Sequence, residues 1–213
     1  GFTVTTSKES PVDSYDITAS VSGLSSTNYS FRPHTVKGKL TITPAKLTVG
    51  AGDTVRTYGD PNPAFSALYT GFKNSEKLAD IGISGAPDLK TTATIDSAVG
   101  EYEISTNVNA LNARNYTFES RTQKGKLTIV KALLDVSAKD TANTYGDEVP
   151  VFTPVYEGFK LGHQLSDIGL AGEPVLSTIA TKDSGAGDYE ISANVMGLAA
   201  RNYAFRSKLQ KGL

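Results

Sequence analysis

The sequence predicts a mainly β protein that consists of small domains in tandem. Three observations lead to this fold class. A set of motifs returns at a constant interval along the 213 residues. Polar and apolar residues alternate with a period of two, as in half-buried strands. Successive copies of the motif set are joined with almost no linker.

The tandem arrangement follows from motifs that recur 87 positions apart without a gap. The sequence Thr-Tyr-Gly-Asp at 57–60 returns at 144–147, and Lys-Gly-Lys-Leu-Thr-Ile at 37–42 returns unchanged at 124–129. A period of this length suits compact domains better than solenoid units, which usually have about 20–45 residues.

The period divides the chain into three parts. Residues 1–45 are predicted to be the C-terminal half of one copy, 46–132 a complete copy, and 133–213 a copy that lacks its last strand. The point within the period at which the folded domain begins stays open, because a tandem array reads equally well from several starting points.

Five segments of the complete copy have the alternation of half-buried strands. In 102–108, for example, Tyr, Ile and Val take one face while Glu, Ser and Asn take the other. The predicted strands are 46–49, 65–69, 102–108, 115–118 and 126–129. We expect the Lys-Gly-Lys sequence at 124–126 to be a hairpin turn between the last two, with Gly125 at positive φ.

One segment departs from the alternation. Residues 74–82 combine a capping Asn, apolar positions three apart and a terminal Gly, which predicts a short helix, and 162–169 matches them. Five or six strands with one short helix per repeat favour a β-grasp-like fold. An immunoglobulin-like β-sandwich is the alternative, although the Cys and Trp typical of its core are missing here.

The junction between copies predicts close contact between neighbouring repeats. The strand residues 40–43 pass through Pro44 and Ala45 directly into 46–49, which leaves about two residues of linker. A flexible tether is longer and rich in Gly and Ser. We therefore expect the repeats to be held end to end as a rod.

Composition and charge exclude several classes of protein. The formal net charge is −1 with 20% charged residues, and Lys and Arg are scattered, so we expect no nucleic-acid partner. No apolar run approaches the roughly 20 residues that cross a bilayer, and we expect no membrane insertion in this fragment. The absence of Cys favours a bacterial source, because small secreted animal domains usually carry disulfides.

No residue pattern predicts a catalytic, cofactor or metal site. The two histidines, His34 and His163, have Arg121 and Glu76 as their counterparts one period away, so we predict that both are surface polar residues outside any repeated site. Acidic residues do recur, as in Asp53 with Asp140, Asp60 with Asp147, Asp80 with Asp167, Asp96 with Asp183, and Asp16 with Glu103 and Glu190. A calcium site formed by some of these acids is the alternative, although no calcium-loop motif accompanies them. We expect turn formation and helix capping, with Asp60 bonding nearby backbone N–H groups.

The recurring aromatic residues are expected to form the core. They are Tyr58, Phe65, Tyr69, Phe72, Tyr102, Tyr116 and Phe118. A domain of about 87 residues without Trp or Cys needs to bury nearly all of its large apolar side chains to be stable. Exposure of some of them as a platform for glycan rings is the alternative.

The ordered motifs resemble those of MBG-type repeats, also called YGX or YDG repeats. The motifs are Tyr-Gly-Asp-Pro-Asn-Pro-x-Phe at 58–65, Tyr-x-Gly-Phe at 69–72, Leu-Ala-Asp-Ile-Gly at 78–82, Val-Gly-x-Tyr-x-Ile at 99–104 and Asn-Tyr-x-Phe at 115–118. The third copy departs from the pattern at 148–150, where Glu-Val-Pro replaces Pro-Asn-Pro. Such repeats occur in tandem in large bacterial adhesins. The resemblance implies an extracellular location, at the bacterial surface or secreted, and supplies no catalytic residues.

Two functions follow as hypotheses. In the first, the repeats are a structural spacer or stalk of an adhesin that projects a distal binding region in cell adhesion or biofilm formation. Their partners are then the neighbouring repeats, while other regions bind host or matrix glycans or proteins. In the second, the repeats themselves bind glycans or another surface or matrix partner. An enzyme is not expected, and no cofactor is predicted.

Overall fold

The computed structural model describes residues 1–208, which form a mainly β structure as predicted. The predicted first copy contains β1 (Phe2–Thr3), β2 (Asp13–Ala19) and β3 (Gly38–Ile42). The second contains β4 (Ala45–Ala51), β5 (Thr54–Thr57), β6 (Ala67–Thr70), β7 (Asp88–Thr91), β8 (Gly100–Asn107), β9 (Tyr116–Ser120) and β10 (Gly125–Val130). The third contains β11 (Ala132–Ala138), β12 (Pro154–Glu157), a 3₁₀ turn (Leu165–Asp167), β13 (Val175–Thr178), β14 (Ile191–Asn194) and β15 (Tyr203–Ser207). No helix in this part of the chain is long and apolar enough to cross a membrane.

The strands of the complete copy are divided between two sheets. One has the order β6-β4-β9 and the other the order β5-β10-β8-β7. The third copy repeats this division with β12-β11-β15 and β13-β14, and the first copy has the single sheet β1-β2-β3. The last residues of the third copy, 209–213, lie outside the described part of the chain.

The chain forms two compact units that do not coincide with the predicted copies. Unit 1 comprises 1–52, 65–90 and 104–125, and unit 2 comprises 53–64, 91–103 and 126–213. Each unit therefore combines part of the complete copy with residues of one neighbouring copy.

In unit 1, β4 is the central strand of its sheet. It pairs antiparallel with β6 and parallel with β9. The alternation predicted for this strand places Leu47 in a buried cluster with Ala113 and Tyr116. Phe72, Ile81 and Phe118 pack against the cluster, which accounts for three of the apolar positions that recur in the sequence.

In unit 2, β11 takes the place that β4 has in unit 1. It pairs antiparallel with β12 and parallel with β15, and it buries Leu134 and Val136. The parallel pair β5 and β10 also belongs to this unit, with Leu127 opposite Thr54. The same local pattern thus produces the same strand pairing at both repeat positions.

The helix predicted at 74–82 is not formed. Asn74 and Ser75 have φ of 52° and 61°, and the segment is a series of turns. Consecutive left-handed residues end any right-handed helix, because the two hands do not share a hydrogen-bond ladder. The matching segment of the third copy contains only the three-residue 3₁₀ turn. The β-grasp detail, with one helix per repeat, is therefore not confirmed.

The hairpin predicted at 124–126 is also wrong. β9 and β10 belong to different sheets, and Gly125 is the first residue of β10 without positive φ. A Cβ at this position would lie 2.6 Å from the carbonyl oxygen of Ala51. Glycine is needed here for the close approach of two backbones and not for a turn.

An ion pair crosses the parallel strands β11 and β15, where Asp135 and Arg206 lie opposite each other. The guanidinium donates from Nε to Oδ1 at 2.7 Å and from Nη2 to Oδ2 at 2.9 Å. These hydrogen bonds hold the pKa of the Asp135 carboxyl below its usual value. Because folding lowers this pKa, the pair stabilises the fold above the carboxyl's unfolded pKa. That contribution is lost as the pH falls through the folded pKa.

Replacing Asp135 by Asn is expected to flatten the fall in unfolding free energy below about pH 4, because the variant no longer takes up this proton on unfolding. Urea unfolding followed by circular dichroism across the acid range measures the slope. Asp183→Asn, in an exposed loop, is the control for the loss of one carboxylate from the chain. Identical slopes for the parent chain and the Asp135 variant would contradict the assignment.

Candidate functional site at the joints between repeats

Two joints connect the predicted copies. We call the contacts between 1–45 and 46–132 joint 1, and the contacts between 46–132 and 133–213 joint 2. All residues of joint 1 described below belong to unit 1, and all those of joint 2 to unit 2.

The same hydrogen bond is present in both joints. In joint 1 the backbone N–H of Val12 donates to Asn115 Oδ1 at 3.0 Å. In joint 2 the backbone N–H of Val99 donates to Asn202 Oδ1 at 3.1 Å. The two donors and the two acceptors are each one period apart. The Asn of the Asn-Tyr motif is therefore a contact to the preceding repeat.

The loop that supplies the donor is held by a tyrosine that follows it in the chain. In all three copies a tyrosine hydroxyl donates to the backbone carbonyl oxygen four positions before it. The pairs are Tyr15 with Pro11 at 2.8 Å, Tyr102 with Ala98 at 2.9 Å, and Tyr189 with Gly185 at 2.9 Å. The bond fixes the loop before the strand, so that the joint N–H is presented in a set position.

The tyrosine of the Asn-Tyr motif fixes the other side of each joint. Tyr116 and Tyr203 are buried, and each hydroxyl accepts a backbone N–H, from Lys73 at 3.0 Å and from Lys160 at 3.1 Å. Burial is the main cause that raises the pKa of both phenols. An ordinary phenol is already protonated at physiological pH, and the raised pKa keeps both hydroxyls protonated to higher pH.

The sequence predicted His163 to be a surface polar residue outside any repeated site. The structure instead places it in contact with the tyrosine of the Asn-Tyr motif. It is half-buried, and its Nδ1 lies 3.1 Å from the Tyr203 hydroxyl. Its counterpart Glu76 accepts a hydrogen bond from the Tyr116 hydroxyl. The position is thus a repeated partner of the motif tyrosine, occupied by different residue types. His34 is exposed, as expected.

Tyr58 of the Tyr-Gly-Asp motif is buried in joint 2. Its ring packs edge-on against Tyr203, with centroids 5.6 Å apart, and lies 6.1 Å from the ring of His163. Only 3% of Tyr58 is exposed, whereas 73% of its counterpart Tyr145 is exposed. Tyr203 and His163 of the following copy thus contribute to the burial of Tyr58.

The next two residues of the motif also contact the following copy. Gly59 has φ of 79°, and a Cβ there would lie 2.4 Å from the Cβ of Lys160. The Lys160 ammonium lies 2.9 Å from Asp60 Oδ1. The expectation that Asp60 bonds nearby backbone N–H groups is thus replaced by an ion pair across joint 2.

Other recurring acids do act locally. Asp80 accepts the backbone N–H of Lys77, and Asp167 that of Gln164, both at 2.8 Å. Within residues 1–208, no three His, Asp or Glu side chains are grouped so that they could hold a metal ion.

The recurring aromatic residues of the complete copy are withdrawn from solvent. Tyr58 and Tyr116 are buried and the other five are half-buried, so none of the seven is exposed. This arrangement agrees with their expected place in the core and gives no exposed stacking platform from this set.

Sequence reasoning missed the joint residues because their partners lie about 100 positions away. Asn115 and Asn202 were visible only as part of a motif. One signal in the sequence could have identified them: an Asn recurs beside a core Tyr in successive copies. Because strand formation does not require an amide side chain at this position, its recurrence indicates a specific contact.

The family model for the MBG domain (YGX type) matches residues 47–128 and again 134–211. No curated protein matches the chain, and neither does any solved structure.

Proposed function

We propose that this chain, which belongs to the family of MBG domains of the YGX type, is a spacer region of a bacterial extracellular adhesin. Domains of this family are repeat domains of surface proteins. In the proposed role the repeats are non-catalytic and lie outside the cell, at the bacterial surface or in a secreted protein. They project a distal binding region that contacts another cell or a matrix.

The observation that carries this proposal is the hydrogen bond that recurs in both joints. Domains in one chain move relative to each other by default unless their contact is extensive. A contact repeated at the same register instead favours one orientation between successive repeats. A spacer requires this property, because its length is then set by the number of copies.

The other contacts of joint 2 support the same role. Tyr58 contributes a buried aromatic ring, and Asp60 pairs with Lys160. The ion pair is partly exposed and contributes at most about 1 kcal/mol. The aromatic packing therefore contributes more to the joint than the ion pair does, and its interior position makes it insensitive to salt.

Small-angle scattering tests the spacer role. Chains lengthened in register by one, two and three extra copies of 46–132 should increase their maximum dimension by a constant step. A domain of this size has a radius of gyration of about 12 Å, so we expect about 35–45 Å per copy. Steps that shrink with copy number would show that the repeats collapse on one another, and they would contradict the proposal.

A binding assay separates the spacer from the alternative, in which the repeats themselves bind glycans or another surface partner. We expect the 213-residue chain to give no saturable signal on a glycan array or on host cells. The seven recurring aromatics are not exposed in the complete copy, which supports this expectation. Saturable binding to one glycan class would favour the alternative.

A further inference from the structure

The third copy has an uncharged edge strand where the complete copy has a charged one. Strand β7 ends the sheet β5-β10-β8-β7 and carries Asp88 and Lys90, whose charged groups lie 2.7 Å apart. Its counterpart β13 has Val175 and Ser177 at these two positions, and Ile179 directly follows the strand. Both charges of this edge are thus replaced by uncharged side chains in the third copy.

The outer face of β13 is open to solvent. Val175 is 65% exposed and Ile179 is 86% exposed, whereas Leu176 is half-buried. Alternation along the strand places Val175, Ser177 and Ile179 on the same face. The charged counterparts on β7 are exposed as well, although all four strands of their sheet are present. Exposure of this face is therefore a property of the repeat.

The backbone of β13 is paired along one side. It pairs antiparallel with β14, and within residues 1–208 no strand lies along its other side. Alternate N–H and C=O groups of such a strand point away from its neighbour, so that a free edge can pair with a further strand. Charged side chains on an edge strand oppose this pairing. The complete copy has this protection on β7, and the third copy lacks it on β13.

The edge is complementary to itself in the antiparallel direction. If two molecules align their β13 strands with Ser177 opposite Ser177, Val175 of each lies opposite Ile179 of the other. Opposed apolar side chains of this kind stabilise an antiparallel pair. The charges also match, because an exposed Glu173 precedes the strand and an exposed Lys182 follows it. Antiparallel pairing brings the acidic end of each strand to the basic end of the other.

The corresponding edge of the complete copy is not complementary in this way. Ala86 and Ile95 occupy the positions of the flanking acid and base. The same two-fold alignment of β7 would place Lys90 opposite Lys90 of the second molecule, and like charges directly opposite each other destabilise a strand pair. Self-complementarity is thus specific to the edge of the third copy.

We propose that β13 is an interaction surface for a second molecule of this chain, and that two molecules associate by antiparallel pairing of their β13 strands. Main-chain hydrogen bonds would join the two edges, and the apolar side chains and flanking charges would set the alignment. Because the strand is short, we expect a reversible dimer with a dissociation constant on the order of 100 μM. The proposal does not depend on the spacer role, since strand pairing requires no particular orientation between successive repeats.

Sedimentation velocity of the 213-residue chain tests the association. From about 10 μM to about 1 mM the chain should change from monomer to dimer and form nothing larger. The double variant Val175→Asp with Ser177→Lys restores the two charges of β7 and should stay monomeric. Its residues are compatible with the strand, as β7 itself shows. Val36→Asp with Ser25→Lys makes the same exchange at exposed positions of the first copy and should dimerise like the parent chain.

Two results of this experiment would overturn the proposal. One is a parent chain that remains monomeric at the highest concentration. The other is a dimer that the β13 double variant retains, because a different surface would then hold the two molecules together.

Cysteine cross-linking tests the alignment, because the chain has no cysteine of its own. Ser177→Cys should give a disulfide-linked dimer on mild oxidation, since the proposed pairing places this position opposite itself. Lys90→Cys, at the matching position of β7, should give far less. In a mixture of the two variants, a preferred cross-link between position 177 and position 90 would show that β7 is the partner edge and would overturn the proposal.

The flanking charges give an independent readout. Glu173→Lys should weaken the dimer about tenfold, because two bases then face each other at both ends of the strand pair. Adding Lys182→Glu should restore the affinity. The ammonium of Lys182 lies 3.6 Å from Glu148 Oε1 of its own chain, in a contact that leaves both side chains exposed. A double variant no tighter than Glu173→Lys alone would contradict the antiparallel alignment.

Discussion

Replacing Tyr58 by Ala is expected to lower the free energy of unfolding by about 3–5 kcal/mol, the range for removing a large buried aromatic side chain. The same replacement at Tyr145 is expected to cost no more than about 0.5 kcal/mol, as at most surface positions. The two residues belong to the same motif, but 3% of one and 73% of the other is exposed. The pair of variants thus compares a buried with an exposed tyrosine of the same motif.

Urea unfolding followed by circular dichroism measures both variants against the parent chain. Because the chain forms two compact units, its unfolding can have more than one transition. The change in unfolding free energy is then taken from the transition whose midpoint differs between variant and parent chain. Tyr58→Phe is the control for the ring alone. It keeps the packing on Tyr203 and should lose less than about 1.5 kcal/mol. Equal losses for Tyr58→Ala and Tyr145→Ala would contradict burial of Tyr58 by the following copy.

Replacing Gly59 by Ala is expected to have the second largest effect, about 2–4 kcal/mol. About 1–2 kcal/mol comes from the positive φ, and the rest comes from overlap with the Lys160 side chain. Gly146 is the matched control. It has φ of 91°, and a Cβ added there would have no atom within 4 Å, so Ala at this position should incur the backbone cost alone. The difference between the two variants measures the close approach at the joint.

Hydrogen exchange provides a readout that a general loss of stability would not reproduce. The Val99 N–H is protected by Asn202 across joint 2. In the Gly59 variant this amide should exchange faster relative to amides in the sheet of β4, whereas the Gly146 variant should leave the ratio unchanged. Equal stability and equal Val99 protection in the two variants would show that Gly59 is not needed for the joint.

The strands were the part of the fold that local pattern predicted well. The alternation in 102–108 follows from the two faces of a single strand, and β8 occupies nearly the same residues. The helix at 74–82 failed because capping and spacing signals are weak in a segment of about nine residues. A segment that short gains little from helix propagation after nucleation, and the turns with positive φ at Asn74 and Ser75 replace it.

The hairpin at 124–126 failed for a different reason. A Gly between two alternating segments is equally compatible with a tight turn and with a crossing from one sheet to another. Only the closeness of Gly125 to Ala51 distinguishes the two cases. Likewise, His163 and Glu76 have different chemistry in the sequence, yet both contact the hydroxyl of the motif tyrosine.

Local sequence patterns were enough to predict the repeat period, the mainly β class and five of the seven strands of the complete copy, because these depend on residues that are close along the chain; β5 and β7 were missed. The tertiary structure decided which motif residues are core and which belong to a joint. Tyr58 and Tyr145 share the sequence Thr-Tyr-Gly-Asp, yet one is buried against residues of the following copy and the other is exposed. Burial depends on which atoms surround a side chain. In a tandem array some of these atoms belong to the next repeat, about 100 residues away in the chain.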